Sequence, residues 1–498
     1  MEQLQAIAKR LEEVLGEPLS GTLRRLSSGA SRETFALSTA SHGDLIAQLD
    51  PAAAGREQRP SQAPLLEAAA DAGVPVARVV ARGSGDRVLG ASWTVLEALS
   101  GTSDPARILA AEGVPQPAQL IDSVAAALAA IHRMPADPAL APVVDDPLAQ
   151  VRSWHDGLGE PHAVFELAFR ALERERPRRG PQVLVHGDFR MGNLMVGPSG
   201  VTGVLDWELT HLGEPIEDLG WLCVPAWRFT RPDRPAAGLA TREQLIAAYE
   251  RHAGVEVDGE ALAWWELLGT LRWGVICVMQ AFSHLSGARR SIEHAVIGRR
   301  ACEVEWDLLE QLDPQSAGGS HETAPAPARP RAPGTPTARA PARPQAPQPP
   351  GEPGPPAAAP APAPTPLHDR PTALELLHAA RGALGDDVLP ALEGRAAFQV
   401  RVTMRALGMV ARELEHGPDH AAVHAAVLES VGVADEDDFA AAIRDGRLDG
   451  SEAEVLAALR AVVRAKLEVA NPRYLEASSA APTEQRTGTE QRTRKEKT

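Results

Sequence analysis

Apolar and polar residues alternate at two different spacings along this chain. The first residues carry apolar side chains three and four apart, which predicts an amphipathic helix over 2–15. Short apolar stretches bounded by turns rich in Gly and Ser follow this helix and predict strands. These stretches are 18–40, with the pattern strand-turn-strand, 44–50, and 78–99, which contains two strands. The pattern therefore predicts a helix followed by a small β-sheet.

The helical spacing returns after residue 100 and continues to about residue 312. It predicts helices at about 117–134, 147–157, 161–176, 216–223, 241–252, 258–284 and 288–312. Tryptophans are concentrated in the later helices, although the whole chain is only 4% aromatic. Tryptophans at helical spacing usually pack in a core, although one or two could line a substrate pocket. A sheet followed by helices is typical of an α+β fold.

Composition changes sharply at residue 314. Residues 314–366 alternate Ala and Pro, which favours an extended, disordered linker over helix or sheet. Residues 367–476 are rich in Ala, Leu, Val and Glu and predict a separate all-α domain. The polar residues 477–498 predict a disordered tail. Helices of the all-α domain are expected at 371–384, 392–417, 419–430, 435–445 and 452–470, with a break at Pro418.

Composition and charge limit the classes of function. The formal net charge is −16 and no basic stripe is present, so a nucleic-acid partner is not expected. Three cysteines lie far apart without zinc spacing, which favours a reducing, cytoplasmic location. No secretory signal pattern is found, and the apolar run 267–282 is interrupted by Arg272, so no membrane span is expected. An acidic protein that binds phosphate needs a metal ion or local arginines.

The densest chemistry lies in LVHGDFRMGNLMV (184–196) and in GVLDWE (203–208). Four residues separate Asp188 from Asn193, and Asp206 follows after two apolar strands joined by a polar turn. Phosphoryl transfer needs a carboxylate that orients the attacking hydroxyl and oxygen ligands that hold Mg²⁺ on the nucleotide phosphates. An isolated HxD loop is more often structural, but three matches at this spacing favour a kinase-type site.

These motifs resemble the aminoglycoside phosphotransferase family, and most closely its branch related to the kinase-like part of acyl-CoA dehydrogenase family members 10 and 11. The resemblance implies a bilobal, protein-kinase-like fold over 1–313 with a small antiparallel N-lobe at about 1–100. The mostly helical C-lobe would follow at about 101–313. The resemblance also implies that 367–476 is the helical domain of unknown function that accompanies this branch.

Roles for individual residues follow from the same resemblance. It implies that Asp188 is the catalytic base and that Asn193 and Asp206 bind Mg²⁺. His186 would support the catalytic loop, and Arg190 belongs to the same catalytic set. The residues that it implies at the nucleotide are Ser28, Gly29 and Ser31 in the turn over the phosphates, Arg32 after that turn, and Glu97 and Leu99 at the adenine hinge.

The nucleotide-binding half departs from the family at two positions. The family carries a cation on the third strand and an acidic partner on the next helix, expected here at about 61–72. In this chain the matching positions are Gln48 and Gln62, which can hydrogen-bond but lack the charge-assisted strength of an ion pair. No lysine lies between Lys9 and Lys466, so an arginine would have to bind the phosphates. The candidates are Arg24, Arg25, Arg32, Arg56 and Arg59.

Two hypotheses of different classes result. The first is an ATP- or GTP-dependent, Mg²⁺-dependent phosphotransferase that acts on a hydroxyl of a small molecule, such as a hydroxyacyl-CoA or a related metabolite. The second is a pseudokinase or scaffold that binds a nucleotide or an acyl-CoA dehydrogenase-type partner through 367–476. The complete Asp-Asn-Asp set favours the first hypothesis, and the two glutamines favour the second.

Overall fold

The computed structural model describes residues 2–28, 32–50, 61–229, 231–313 and 372–479. The predicted linker and most of the predicted tail lie outside these ranges. Residues of the sequence analysis that also lie outside them are Gly29, Ser31, Arg56 and Arg59.

The N-lobe consists of α1 (Glu2–Leu15), α2 (Ala63–Asp71) and a five-stranded antiparallel sheet. Its strands are β1 (Arg24–Ser28), β2 (Glu33–Thr39), β3 (Gly43–Asp50), β4 (Val79–Asp86) and β5 (Gly90–Glu97). The strand order is β1-β2-β3-β5-β4, which places β3 in the centre. The predicted helix and small antiparallel sheet are therefore confirmed.

Alternation along β3 gives the sheet two different faces. Leu45, Ala47 and Leu49 are buried in a core shared with α1. Since successive side chains of a strand point to opposite faces, Gln48 and Asp50 lie on the other face of the sheet. That face carries the pocket described below.

The C-lobe is mostly helical, as predicted. Its helices are α3 (Pro105–Leu109), α4 (Pro117–His132), α5 (Pro147–Leu158), α6 (Ala163–Arg174), α7 (Pro215–Cys223), α8 (Arg242–Ala253), α9 (Gly259–Leu285), α10 (Ile292–Gly298) and α11 (Ala301–Leu312). The single helix expected at 288–312 is wrong, since α10 and α11 are separate. Gly298 lies so close to α9 that a Cβ there would be 2.4 Å from the Ala281 Cβ, and the chain turns at this contact.

Two short antiparallel ribbons place the HGD loop and the Asp206 loop side by side. β6 (Val183–Val185) pairs with β9 (His211–Gly213), and β7 (Leu194–Gly197) pairs with β8 (Gly200–Val204). The loop from β6 to β7 contains the HGD motif, and the loop from β8 to β9 contains Asp206. A backbone hydrogen bond from Leu205 N to Asn193 O (2.8 Å) joins the two loops.

The C-terminal region is all-α, as predicted. Its helices are α12 (Ala373–Ala383), α13 (Gly394–Val431), α14 (Glu436–Arg444), α15 (Glu452–Ala470) and α16 (Pro472–Ser479). The expected break at Pro418 is wrong, because α13 continues through this residue. Proline in a helix costs about 3 kcal/mol. Packing along α15, on both sides of the proline, offsets this cost.

These C-terminal helices pack directly on the C-lobe. α14 lies against α6 and α15 against α11, and one apolar core contains Phe165 and Phe169 from the C-lobe together with Phe439 and Leu467. Hydrogen-bonded charges cross the same boundary. They join Arg444 to Glu166, Lys466 to Glu305, and Tyr474 to Asp307.

Helix α9 alone, among the described residues, is long and apolar enough to cross a bilayer by length and composition. Of its most apolar window, 67% is buried inside the protein, as in the core helix of a folded domain.

Candidate active site

The HGD motif forms a tight loop directly after β6. Gly187 has a φ of 76°, and a Cβ there would lie 2.3 Å from the Leu209 carbonyl oxygen. Only glycine fits this left-handed, closely packed position. The turn that follows leads to Asp188 at the rim of the lobe.

His186 supports this loop from below. It is fully buried, its Nδ1 accepts from the Asp188 backbone N–H (3.2 Å), and its Nε2 donates to the Leu205 carbonyl (3.0 Å). Burial lowers the pKa of His186, so the ring is neutral and these two roles fix its tautomer. No hydrogen bond from its ring to the Asp188 carboxylate is found within the described residues. The contacts agree with a supporting role, as expected from the resemblance.

Asp218, on α7, holds the same loop from the other side. Its buried carboxylate accepts from the His186 and Gly187 backbone N–H groups at 2.7 and 2.9 Å and pairs with His132 Nε2 at 3.2 Å. Burial would raise the pKa of this carboxyl, but the hydrogen bonds and His132 lower it. His132 also contacts the Tyr249 hydroxyl (2.7 Å), so both of its ring nitrogens have partners inside the C-lobe.

Three donors converge on the Asp188 carboxylate. Arg190 Nε and Trp221 Nε1 both donate to Oδ1 at 2.9 Å. Asn193 Nδ2 donates to Oδ2 at 2.6 Å and to the Asp188 carbonyl at 3.0 Å. These contacts fix the carboxylate in one orientation. This contact of Trp221 was not predicted, because a tryptophan at helical spacing gives no sign that its N–H reaches the Asp188 carboxylate.

Asp206 occupies a strained backbone position beside this carboxylate. Its φ is 60°, which non-glycine residues adopt rarely and often at functional sites. Burial, with the negative charges of Glu208 and Asp188, raises the pKa of Asp206. A cation between these groups would relieve their repulsion.

The residues present fit a Mg²⁺ site. The nitrogen of the Asn193 carboxamide is committed to Asp188, so its Oδ1 is the atom that can bind a metal. Carboxylate and amide oxygens are ligands that Mg²⁺ accepts, usually with retained water and substrate phosphates. Asn193 and Asp206 therefore stay the predicted ligands.

The two glutamines of the nucleotide half face one pocket. Gln48, on β3, and Gln62, which precedes α2, line it together with Arg32, Asp50 and Thr94. The buried Gln62 Nε2 has no hydrogen-bond partner among the described residues, so it does not pair with Gln48. A buried donor without a partner costs about 1–3 kcal/mol, and this N–H is suited to donate to a ligand oxygen.

An ion pair that the sequence did not reveal lies in the same pocket. Arg32 Nε is 3.1 Å from Asp50 Oδ1, and Arg32 Nη1 is 3.7 Å from Glu208 Oε1. Arg32 was predicted to bind nucleotide, but Asp50, its neighbour Ser92 and Glu208 were not singled out. Their partners come from distant segments, which sequence spacing does not indicate.

The other predicted nucleotide residues in the described part of the chain are not among those that line this pocket. Ser28 ends β1, and Glu97 ends β5 at the hinge between the lobes. The Leu99 side chain packs against Gly203 of β8, where a Cβ would meet it at 2.2 Å. This contact brings the hinge next to the strand that leads to Asp206. Their roles at a nucleotide stay predictions.

An aromatic wall, formed by Trp221, Trp227 and Trp273, stands beside Asp188. The ring centroids of Trp221 and Trp227 are 5.5 Å apart, and those of Trp227 and Trp273 are 5.0 Å apart. The Arg190 guanidinium lies 4.6 Å from the Trp227 ring centroid. This side of Asp188 is thus aromatic and flanked by arginine.

The fold and this loop geometry define a two-lobed, kinase-type phosphotransferase architecture. Residues 22–255 match the phosphotransferase enzyme family, and residues 390–474 match a domain of unknown function, DUF6285. Residues 22–255 thus resemble the phosphotransferase enzyme family, residues 390–474 resemble this second domain, and the resemblance drawn from the motifs is confirmed.

Individual relatives match parts of the chain. An aminoglycoside 3'-phosphotransferase of Streptomyces fradiae is 29% identical over 210 residues, which are 39% of this chain and 73% of that protein. Acyl-CoA dehydrogenase family member 10 of Mus musculus is 34% identical over 103 residues, or 18% of this chain. The chain spans only 10% of the length of that protein. A solved spectinomycin phosphotransferase with ADP and spectinomycin is 12% identical, with a TM-score of 0.46 over 62% of this chain and 98% of that one.

Proposed function

We propose that this protein uses ATP or GTP, with Mg²⁺, to phosphorylate a hydroxyl group of a small molecule. The observation that carries the proposal is the Asp188 carboxylate, which Arg190, Trp221 and Asn193 hold beside the Asp206 loop. The match to the phosphotransferase enzyme family supports it.

Different residues of the site have different roles in the proposed reaction. Asp188 orients the acceptor hydroxyl and takes its proton while the acceptor oxygen bonds to the γ-phosphorus. The bond between the γ-phosphorus and the bridging oxygen breaks, and the nucleoside diphosphate leaves. A Mg²⁺ ion held by Asn193 and Asp206 would neutralise charge on the phosphates. His186 and Asp218 keep the loop in place and touch no reacting atom.

The charges around the acceptor side favour an acceptor that is neutral or anionic and partly apolar. A polycationic acceptor would need free carboxylates, but the acidic residues behind the aromatic wall are buried and held by arginines. Glu217 pairs with Arg272 (3.2 Å), and Glu266 pairs with Arg228 and Arg242 (both 2.6 Å). A hydroxyacyl-CoA or a related metabolite fits this environment, and the similarity to acyl-CoA dehydrogenase family members agrees with it.

The alternative function is a pseudokinase or scaffold, and the two neutral side chains Gln48 and Gln62 in the pocket are the observation that favours it. In that case the cleft would bind nucleotide without transfer. An acyl-CoA dehydrogenase-type partner would then contact the C-terminal helices, whose exposed apolar residues offer a surface for it. These residues are Leu376, Phe398, Val410, Leu414 and Val423.

The experiment is a turnover assay on the full chain with Mg·ATP and Mg·GTP. The acceptors are a hydroxyacyl-CoA series, hydroxy acids, amino alcohols and aminoglycosides. We expect nucleoside diphosphate formation with an anionic or neutral acceptor and none with Asp188→Asn. Nucleotide binding without turnover of any acceptor would support the scaffold, and absence of binding would refute both functions.

A further inference from the structure

Three residues form a row across the sheet on the face that carries the pocket. The β2–β3 register pairs Glu33 with Leu49, so Arg32 lies opposite Asp50 one step further along. The β3–β5 register pairs Asp50 with Ser92. Because directly opposite residues on antiparallel strands are neighbours, the sheet itself brings these side chains together. We call Arg32, Asp50 and Ser92 the anchor row.

Hydrogen bonds hold this row in one arrangement. Ser92 Oγ donates to Asp50 Oδ2 at 2.6 Å. Arg32 Nε donates to the two Asp50 oxygens at 3.1 and 3.3 Å. The side chains of Arg32 and Asp50 are only 13% and 19% exposed, so little water competes with these bonds. The guanidinium is therefore held through its Nε, and its Nη1 and Nη2 groups carry further N–H donors.

The anchor row lies beside the position where the family carries its phosphate-binding cation. Gln48 is two residues before Asp50 on the same face of β3, and both line the pocket. Arg32 is the only positively charged residue among the described residues that line it. A planar guanidinium binds phosphate oxygens with two parallel hydrogen bonds, which an ammonium group cannot do.

Glu208 contacts the Nη1 group of the Arg32 guanidinium, on a different nitrogen from the one that binds Asp50. Its Oε1 lies 3.7 Å from Arg32 Nη1, and it belongs to the loop of the C-lobe that carries Asp206. This ion pair connects the two lobes across the pocket. A phosphate group at Nη1 would have to replace Glu208, whereas the bond from Nε to Asp50 could stay.

We propose that Arg32 binds the nucleotide phosphates in place of the missing strand cation, that Asp50, held by Ser92, is its positioning residue, and that Glu208 competes with phosphate for Arg32. The ion pair thus joins β3 to Arg32, the residue before β2, and not to α2. This inference rests on the proposed nucleotide-dependent function and names the residues that anchor its phosphates.

The test measures binding to the full chain by calorimetry with two probes, Mg·ATP and, in EDTA, inorganic tripolyphosphate. We expect Arg32→Gln to weaken both by about ten- to a hundredfold, the effect of one charge-assisted contact. Arg32→Lys should recover only part, because an ammonium cannot bind Asp50 and phosphate in the same fork. The matched control is Arg82→Gln, an exposed N-lobe arginine that pairs with Glu67, and it should bind as the parent does.

Substitutions of Asp50 and Glu208 should change phosphate binding in opposite directions. Asp50→Asn should weaken binding severalfold, and it should add nothing once Arg32→Gln is present, because Asp50 acts through Arg32. Glu208→Gln should tighten tripolyphosphate binding in EDTA severalfold, where no metal site is involved. A thermal unfolding curve for each variant checks that the fold is retained, and only folded variants enter the comparison.

Each outcome separates the inference from the proposed function. If the parent binds neither probe, the nucleotide-dependent function fails. If the parent binds both and Arg32→Gln binds equally well, the inference fails and the function stands. Additive effects of the Arg32 and Asp50 substitutions would refute the positioning role, and weaker tripolyphosphate binding by Glu208→Gln would refute the competition.

Discussion

Arg444→Ala should destabilise the kinase lobes, although Arg444 belongs to the C-terminal region. Its Nη2 and Nε donate to the two oxygens of Glu166 at 2.6 and 3.0 Å, and Nη2 also reaches Asp156 at 2.6 Å. Glu166 is 1% exposed and belongs to α6 of the C-lobe. The substitution therefore removes two hydrogen bonds from a buried carboxylate.

The loss in the free energy of unfolding depends on the partners that Glu166 keeps after the substitution. Removal of one partner from a buried ion pair typically costs about 3–5 kcal/mol. Glu166 keeps Arg152 at 2.5 Å and His155 at 3.3 Å, and the Arg444 side chain is 45% exposed and partly screened. We therefore expect a loss of about 2 kcal/mol in the free energy of unfolding, near the value of one hydrogen bond to a charged group.

Tryptophan fluorescence during urea unfolding measures how far Arg444→Ala destabilises the kinase lobes. All nine tryptophans lie before residue 307, so the fluorescence transition reports mainly on the kinase lobes. Trp306 also contacts Arg460 and Arg464 of α15, so its signal includes the boundary between the two regions. The control is Arg447→Ala, which removes an exposed pair with Asp438 inside the C-terminal region and should cost less than about 1 kcal/mol. If Arg444→Ala shifts the fluorescence midpoint no more than this control does, the two regions unfold independently and the reasoning is wrong.

Three further predictions concern catalysis, pH and nucleotide affinity. Asp188→Asn should keep the fold and nucleotide binding but lower turnover by about a hundredfold or more, measured with any accepted substrate. Burial would raise the pKa of the Glu166 and Glu305 carboxyls, but their hydrogen-bonded and cationic partners lower each pKa from 4.5 to about 2. The stability that these two carboxylates contribute should therefore be complete above pH 4.5 and decline as the pH falls towards 2. Unfolding midpoints measured across this pH range check the prediction. Gln48→Lys combined with Gln62→Glu should tighten Mg·ATP binding by about 1 kcal/mol or more in calorimetry, and more than Gln48→Lys alone. An unchanged affinity would mean either that these positions do not face the phosphates or that the cleft does not bind nucleotide.

The sequence determined the local elements and the chemistry of the catalytic loop. Alternation along residues 44–50 is a property of the strand itself, so one face of β3 could be assigned before any partner was known. The spacing of Asp188, Asn193 and Asp206 is local in the same sense, because four residues separate the first two groups and only the β7–β8 ribbon lies between Asn193 and Asp206. The resemblance to a phosphotransferase rested on these neighbouring residues and is confirmed.

The tertiary structure decided which distant groups meet. Trp221 lies 33 residues after Asp188, and its N–H reaches the carboxylate only because α7 packs against the catalytic loop. Asp50 and Ser92 are 42 residues apart and become neighbours only through the register of β3 and β5. Glu166 and Arg444 are 278 residues apart, yet they share a buried ion pair. Such contacts depend on packing and strand order, and the spacing of residues along a chain carries no information about either.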